Sequence, residues 1–91
     1  MEEKERKTLD EFLAFPLFGV SKGVRSKLVE LDVKIAGYCH SLLTFGKIQR
    51  IRTFSQIMRD MEFLRTQTDE LLVRYNERLR EVLMVIMKYG G

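Results

Sequence analysis

Apolar residues recur at helical spacing along most of the chain after residue 20. Between residues 24 and 45 they follow alternating steps of four and three, which is typical of a helix seam that packs against other helices. A second row keeps the same rhythm about 100° around the same helix, so the predicted apolar face is wide enough to touch more than one neighbour. The seam comprises Val24, Leu28, Leu31, Ile35, Tyr38, Leu42 and Phe45, and the second row comprises Val29, Val33, Ala36, His40 and Leu43.

The stretch 53–89 contains neither glycine nor proline and ends in six consecutive apolar residues, 82–87. Its apolar spacing predicts one long third helix. Arg65 and Asp69, like Glu70 and Arg74, are opposite charges four residues apart, and each such pair adds about 0.2–0.5 kcal/mol to a continuous helix. The segment 66–69, Thr-Gln-Thr-Asp, also resembles a helix start. A break at 66–68, which would give a three-helix bundle, is therefore the alternative.

Capping residues and proline mark the other helix ends. Thr8 and Glu11 fit a capping box, and Pro16 disfavours helix from residue 15 onward, so a short helix is predicted at about 9–15. Ser21 as N-cap and Gly46 as the terminating glycine delimit a second helix at about 21–45. The predicted fold is all-α. A long antiparallel hairpin of about 21–45 and 53–89 carries the N-terminal helix on its far end, in a single domain 1–91.

The predicted helix lengths imply a partner. A helix over 53–89 would be roughly 55 Å long, whereas the second helix spans roughly 36 Å. We expect residues 9–18 and a second copy of the chain to bury the remainder, which gives a four-helix core in a homodimer; another helical protein would serve equally. The predicted interface residues are Leu31, Ile35, Leu79, Val82, Leu83, Ile86 and Tyr89.

Composition sets the broad class of the protein. The chain is 45% apolar and 32% charged, which is typical of a folded domain. No apolar run is long enough to cross a bilayer, and we expect no membrane contact. The N-terminal residues lack the features of a signal peptide, and Cys39 is the only cysteine. A cytoplasmic location is predicted.

No sequence motif indicates catalysis, a cofactor or a metal. Cys39 and His40 are the only cysteine and histidine, and zinc requires three or four ligands. The segment 40–45 resembles the phosphoacceptor segment of two-component histidine kinases over six residues. Ser41, however, stands where an acidic residue usually follows the histidine, which removes a general base. We expect a protein that is not an enzyme.

The internal methionines have two interpretations. Methionine is common on adaptable binding surfaces and also fills irregular cores. Three of the four lie at or beside seam positions, so core packing is the preferred interpretation. The four residues are Met58, Met61, Met84 and Met87.

Positive charge is concentrated in the middle of the chain. Residues 21–53 carry seven basic side chains against Glu30 and Asp32. Lys47, Arg50 and Arg52 lie in the linker after the second helix and are possible phosphate contacts. The preferred function is a non-catalytic protein–protein interaction module, such as a small adaptor, assembly subunit or regulator. The alternative is a nucleic-acid-associated accessory protein that uses this basic linker.

Overall fold

The computed structural model describes residues 1–17, 22–48, 54–67 and 69–90, with the backbone alone at Phe54. In these residues the chain forms four helices: α1 (Glu3–Leu13), α2 (Lys22–Phe45), α3 (Phe54–Arg65) and α4 (Glu70–Gly90). The described residues contain no strand. The prediction of an all-α protein is confirmed.

The predicted continuous helix over 53–89 is wrong. Thr66 hydroxyl donates a hydrogen bond to the carbonyl of Phe63 (2.7 Å) and closes α3. The carboxylate of Asp69 accepts the N–H of Leu71 (2.8 Å), as an N-cap does, and opens α4. Arg65 pairs with Glu62 at 3.3 Å instead of stabilising a helix through residue 69. Caps and the packing of α3 on α4 therefore outweigh ion pairs that are worth only tenths of a kcal/mol.

The break folds the chain into a bundle that closes on itself. Each helix contacts the next one along the chain, and α4 also contacts α1, which closes the ring. In addition, α2 contacts α4 across the core. The longest dimension is 34 Å, well short of the roughly 55 Å that one continuous helix would need. The reason for predicting a second subunit, a helix too long for one chain to cover, no longer applies. The core side chains of the described residues are Leu9, Phe12, Val24, Leu28, Leu31, Ile35, Cys39, Leu42, Ile57, Met61, Leu64, Leu72, Tyr75, Leu79, Val82, Leu83, Val85 and Ile86.

The N-terminal helix begins six residues earlier than predicted. Glu2 is the N-cap, and its N–H donates to the Glu5 carboxylate at 3.0 Å. Thr8, the predicted cap, lies inside α1, where its hydroxyl donates to the carbonyl of Lys4. A capping box does begin α1, but it is formed by Glu2 and Glu5 and not by Thr8 and Glu11. The same three-residue spacing occurs at both places in the sequence. The helix ends at Leu13, two residues before the predicted end.

The N-terminal helix runs antiparallel to α4. Near the start of α1, the Glu5 carboxylate accepts a hydrogen bond from the Tyr89 hydroxyl at 2.8 Å. At the other end of α1, the ring of Phe12 in its last turn and the ring of Phe15 just beyond it contact Tyr75, with centroids 5.4 and 5.8 Å away. The N-terminal segment does lie against the C-terminal helix, but its ring contacts fall near the start of α4 and not at the far end, where the prediction placed them. Phe18 lies outside the described residues.

The second helix has the predicted extent. It ends at Phe45, and Gly46 follows in the left-handed region (φ 71°), with its N–H donating to the carbonyl of Leu42 at 2.9 Å. Ser21 lies outside the described residues. The predicted seam is buried from Val24 to Leu42 apart from Tyr38, which is half-buried, and its last residue, Phe45, is exposed. Next to Tyr38, Cys39 is fully buried although it was not predicted as a seam residue.

Candidate protein-interaction surface

The predicted interface residues lie inside a single chain. Six of them are buried in the core of the bundle, and the seventh, Tyr89, is half-buried with its hydroxyl on Glu5. A second subunit reaches the buried six only if the bundle opens. Burial within one chain therefore accounts for their apolar character. The six are Leu31, Ile35, Leu79, Val82, Leu83 and Ile86.

The basic linker is described only in part. Lys47 is exposed just after the end of α2. Arg50 and Arg52 lie outside the described residues. The possible nucleic-acid contact through these three side chains stays a prediction.

The interpretation of the methionines as core residues is wrong for three of the four. Met61 is buried, whereas Met58, Met84 and Met87 are exposed, Met84 by 73%. The seam of α4 that faces the core runs instead through leucine, valine and isoleucine, and Met84 projects away from it. Residues 82–87 are all apolar, so the sequence of this run does not show which of its side chains are buried. Their position around the helix decides it.

Two apolar residues of the second row of α2 remain uncovered. Val29 and Val33 are 51% and 65% exposed, and His40 is also exposed. Ala36 and Leu43 in the same row are half-buried. We name these five positions the outer row; they span roughly 21 Å along the helix at ~1.5 Å per residue. None of the five is Asp, Glu, Lys or Arg.

A glycine interrupts the surface beside the outer row. Gly37 is exposed near the middle of α2, and a Cβ built on it meets no atom within 4 Å. Glycine inside a helix costs about 1 kcal/mol relative to alanine. Packing within the described part of the chain gives no reason for that cost. A glycine in mid-helix beside an apolar row is visible in the sequence. Whether that glycine lies in the core or on the surface depends on which face of α2 the other helices cover.

The charge around the outer row is positive. Lys22 and Arg25 precede it, Lys47 follows it, and none of these three forms an ion pair within the described residues. The two acidic residues of α2 are engaged: Glu30 lies 3.8 Å from Lys34, and Asp32 accepts a hydrogen bond from a tyrosine of α4. The free charge along this helix is therefore cationic.

The groups that carry chemistry are dispersed or engaged. Burial, and secondarily the charge of Asp32, raises the pKa of the Cys39 thiol to about 12, so the thiolate is strongly disfavoured. His40, the next residue, is exposed about 100° further around α2. Among the described residues no three His, Cys, Asp or Glu side chains are grouped to hold a metal. The depression between α1 and α4 contains Arg78, which already pairs with Glu11 (3.5 Å) and Glu81 (3.6 Å).

The described helices do not include one that combines the length and apolar character needed to span a membrane. No protein-family model, curated protein or solved structure matches this chain. The surface of the bundle is therefore the basis on which a function can be proposed.

Proposed function

We propose that the chain is a non-catalytic protein–protein interaction module, a small helical adaptor, assembly subunit or regulator, and that the outer row of α2 is its contact surface. The observation that carries the proposal is the exposure of Val29 and Val33 on a bundle whose core is already filled. Contiguous exposed apolar residues rimmed by polar ones are typical of interaction sites.

Folding within one chain does not require Val29 and Val33 to be apolar. The seam of α2 lies on another face and supplies its buried contacts from Val24 to Leu42. Valine is also a poor choice for an exposed helix position, since it loses side-chain freedom there and ranks below Ala, Glu and Lys in helix propensity. Neither stability nor solubility explains two exposed valines one turn apart, whereas contact with a partner does.

The exposed methionines form a weaker candidate surface. Met84 and Met87 lie on α4 in a row that also contains Glu77 and Arg80, all exposed. Charged side chains thus interrupt the apolar area on α4. The outer row of α2 has no such interruption, which is why we place the contact there. The predicted cytoplasmic location and the alternative nucleic-acid role stay predictions.

The test is site-specific photo-crosslinking in the native cell, with p-benzoyl-phenylalanine in place of Val33. Arg59 on α3 and Met84 on α4, both exposed, are the matched control positions. We expect a discrete protein adduct from position 33, insensitive to nuclease, that is absent from the controls. Adducts at the control positions alone would refute the outer row as the contact surface. Adducts that disappear with nuclease would favour the alternative role.

A further inference from the structure

We propose that the outer row binds an amphipathic helix of another protein, with an apolar stripe flanked by Asp and Glu, and that the two helices approach most closely at Gly37. The inference rests on the proposed function of the outer row and names the chemistry of its partner. It follows from three features of α2: the exposed valines, the glycine with open space, and the unpaired cations.

The glycine sets the geometry. Gly37 lies one turn after Val33 and one turn before Ser41, in the middle of the exposed length of α2. Open space at its Cβ position means that no side chain of the described chain occupies that point. A helix without a Cβ there lets another backbone come closer than two ordinary helices can. The flanking Ala36 is small as well, so the shallow site lies where two crossing helices would touch.

The charges select the partner. Lys22 and Arg25 at one end of the outer row and Lys47 at the other are exposed and form no ion pair within the described residues. Carboxylates along the edges of an apolar stripe would lie beside these cations at both ends. Electrostatic complementarity of this kind favours encounter with an acidic helix and disfavours a basic one.

The same charges disfavour a second copy of the chain. In an antiparallel twofold pair centred on Gly37, Arg25 of each copy would approach Lys47 of the other. In a parallel pair each cation would lie beside its own equivalent. Both arrangements bring like charges together, which costs affinity. A heterologous acidic helix is the occupant that fits the apolar row and the charge at once.

The experiment uses the full chain and a stapled helical peptide with leucines along one face and glutamates beside them. The matched probe carries lysine in place of every glutamate. At 50 mM NaCl we expect the acidic peptide to bind at least about tenfold more tightly than the basic one, with the difference shrinking at 500 mM as charges are screened. Equal binding, or tighter binding of the basic peptide, would overturn the inference.

Substitutions at two glycines separate binding from folding. Gly37→Gln places a side chain at the proposed point of closest approach, whereas Gly23→Gln adds the same side chain at an equally open position of the first turn. We expect neither variant to lower the melting temperature, since glutamine is a better helix former than glycine. Gly37→Gln should weaken acidic-peptide binding about tenfold or more and Gly23→Gln by less than about twofold. Equal effects of the two variants would exclude close approach at Gly37.

Controls distinguish other ligands and a failure of the proposed function itself. Vesicles of phosphatidylcholine with 30% phosphatidylserine, or a duplex oligonucleotide, that displace the acidic peptide from the parent chain would overturn the inference in favour of a membrane or nucleic acid. If the two peptides bind equally while position 33 crosslinks to a protein in cells, the acidic partner is wrong and the outer row remains the contact surface. If position 33 gives no protein adduct in cells, both the proposed contact surface and the acidic partner are refuted.

Discussion

The hydroxyl of Tyr75 donates a hydrogen bond to the carboxylate of Asp32 at 3.0 Å, joining α4 to α2 across 43 residues of sequence. The tyrosine side chain is fully buried, and the rings of Phe12 and Phe15 pack against it. Three helices therefore meet at one side chain. Burial, reinforced by the negative charge of Asp32 and by this hydrogen bond, raises the pKa of Tyr75 far above its usual value.

Removing only the hydroxyl tests this bond. Tyr75→Phe keeps the ring contacts and leaves the half-buried Asp32 without its donor, so the free energy of unfolding should fall by about 1.5–3 kcal/mol. Urea denaturation of Tyr75→Phe, Asp32→Ala and the double variant completes a mutant cycle. We expect Tyr75→Phe to cost much less when Asp32 is absent. An equal cost in both backgrounds would mean that the hydroxyl acts through something other than Asp32.

A buried amide on α4 is predicted to weaken the bundle. Asn76 is 5% exposed, and its Oδ1 has no hydrogen-bond partner among the described residues. An unsatisfied buried polar atom costs about 1–3 kcal/mol. Asn76→Leu, which is similarly branched, should therefore raise the free energy of unfolding by about 1 kcal/mol. Glu77→Leu, at the exposed neighbouring position, is the control and should change it little; a destabilised Asn76→Leu would show that the amide is needed.

The sequence predicts the helices better than the way they fold together. The apolar period and the Gly46 cap predict the seam and the end of α2, because both are local features. The break before α4 is different. Its signal was the helix-start pattern at 66–69, and the opposite charges of Arg65 and Asp69 and of Glu70 and Arg74 favoured a continuous helix instead. The packing of α3 on α4, which decides the matter, is a tertiary effect that no local pattern in 54–90 reveals.

The candidate site shows the same limit. The second apolar row of α2 was visible in the sequence, as was Gly37. Whether Val33 or Leu31 would face the core depended on where the other helices lie, and both rows were apolar. Residues predicted as an interface, such as Ile86, are apolar because they form the core of one chain. Apolar character indicates that a side chain is buried, either within the chain or against a partner. The packing of the four helices shows which apolar residues the chain itself leaves exposed.

Alkaline pH should destabilise the protein through Cys39. The pKa of this buried thiol rises from 9.0 to about 12 on folding, so the folded state keeps a proton that the unfolded state loses. This contribution to stability is fully present below pH 9 and falls as pH rises toward 12, by up to about 1.4 kcal/mol per pH unit. Urea denaturation at pH 8 and pH 10 should show the loss. Cys39→Ala should lower stability at both values and flatten the change between them, and equal pH slopes for parent and variant would contradict the assignment.

Acidic pH should loosen the attachment of α1. The backbone N–H of Glu2, then the Tyr89 hydroxyl and Lys88 at 3.2 Å, lower the pKa of the Glu5 carboxyl. A lowered folded-state pKa gives stability that is present above the unfolded value of 4.5 and lost as pH falls through the folded value. Glu5→Gln should therefore be less stable than the parent at pH 7, with a smaller difference at pH 3. Glu3→Gln, an exposed neighbour, is the control; a difference that does not depend on pH would indicate lost packing.

Two substitutions on α2, two residues apart, test which face of the helix is buried. Leu31 is fully buried and Val33 is 65% exposed. Leu31→Asp puts a charge into the core without a partner and should lower the free energy of unfolding by more than about 3 kcal/mol. Val33→Asp should change it by no more than about 0.5 kcal/mol, because the new carboxylate stays in water.

Measuring both variants in dilute and concentrated solution also tests the predicted homodimer. If one chain is a complete bundle, the melting temperature of the parent and of Val33→Asp should not depend on protein concentration, and sedimentation should give a particle near 10.8 kDa. A melting temperature of the parent that rises with concentration, together with a Val33→Asp variant as unstable as Leu31→Asp, would mean that the second row of α2 is buried against another copy. The outer row would then be a dimer interface, and the proposal that it binds an acidic helix of another protein would be refuted.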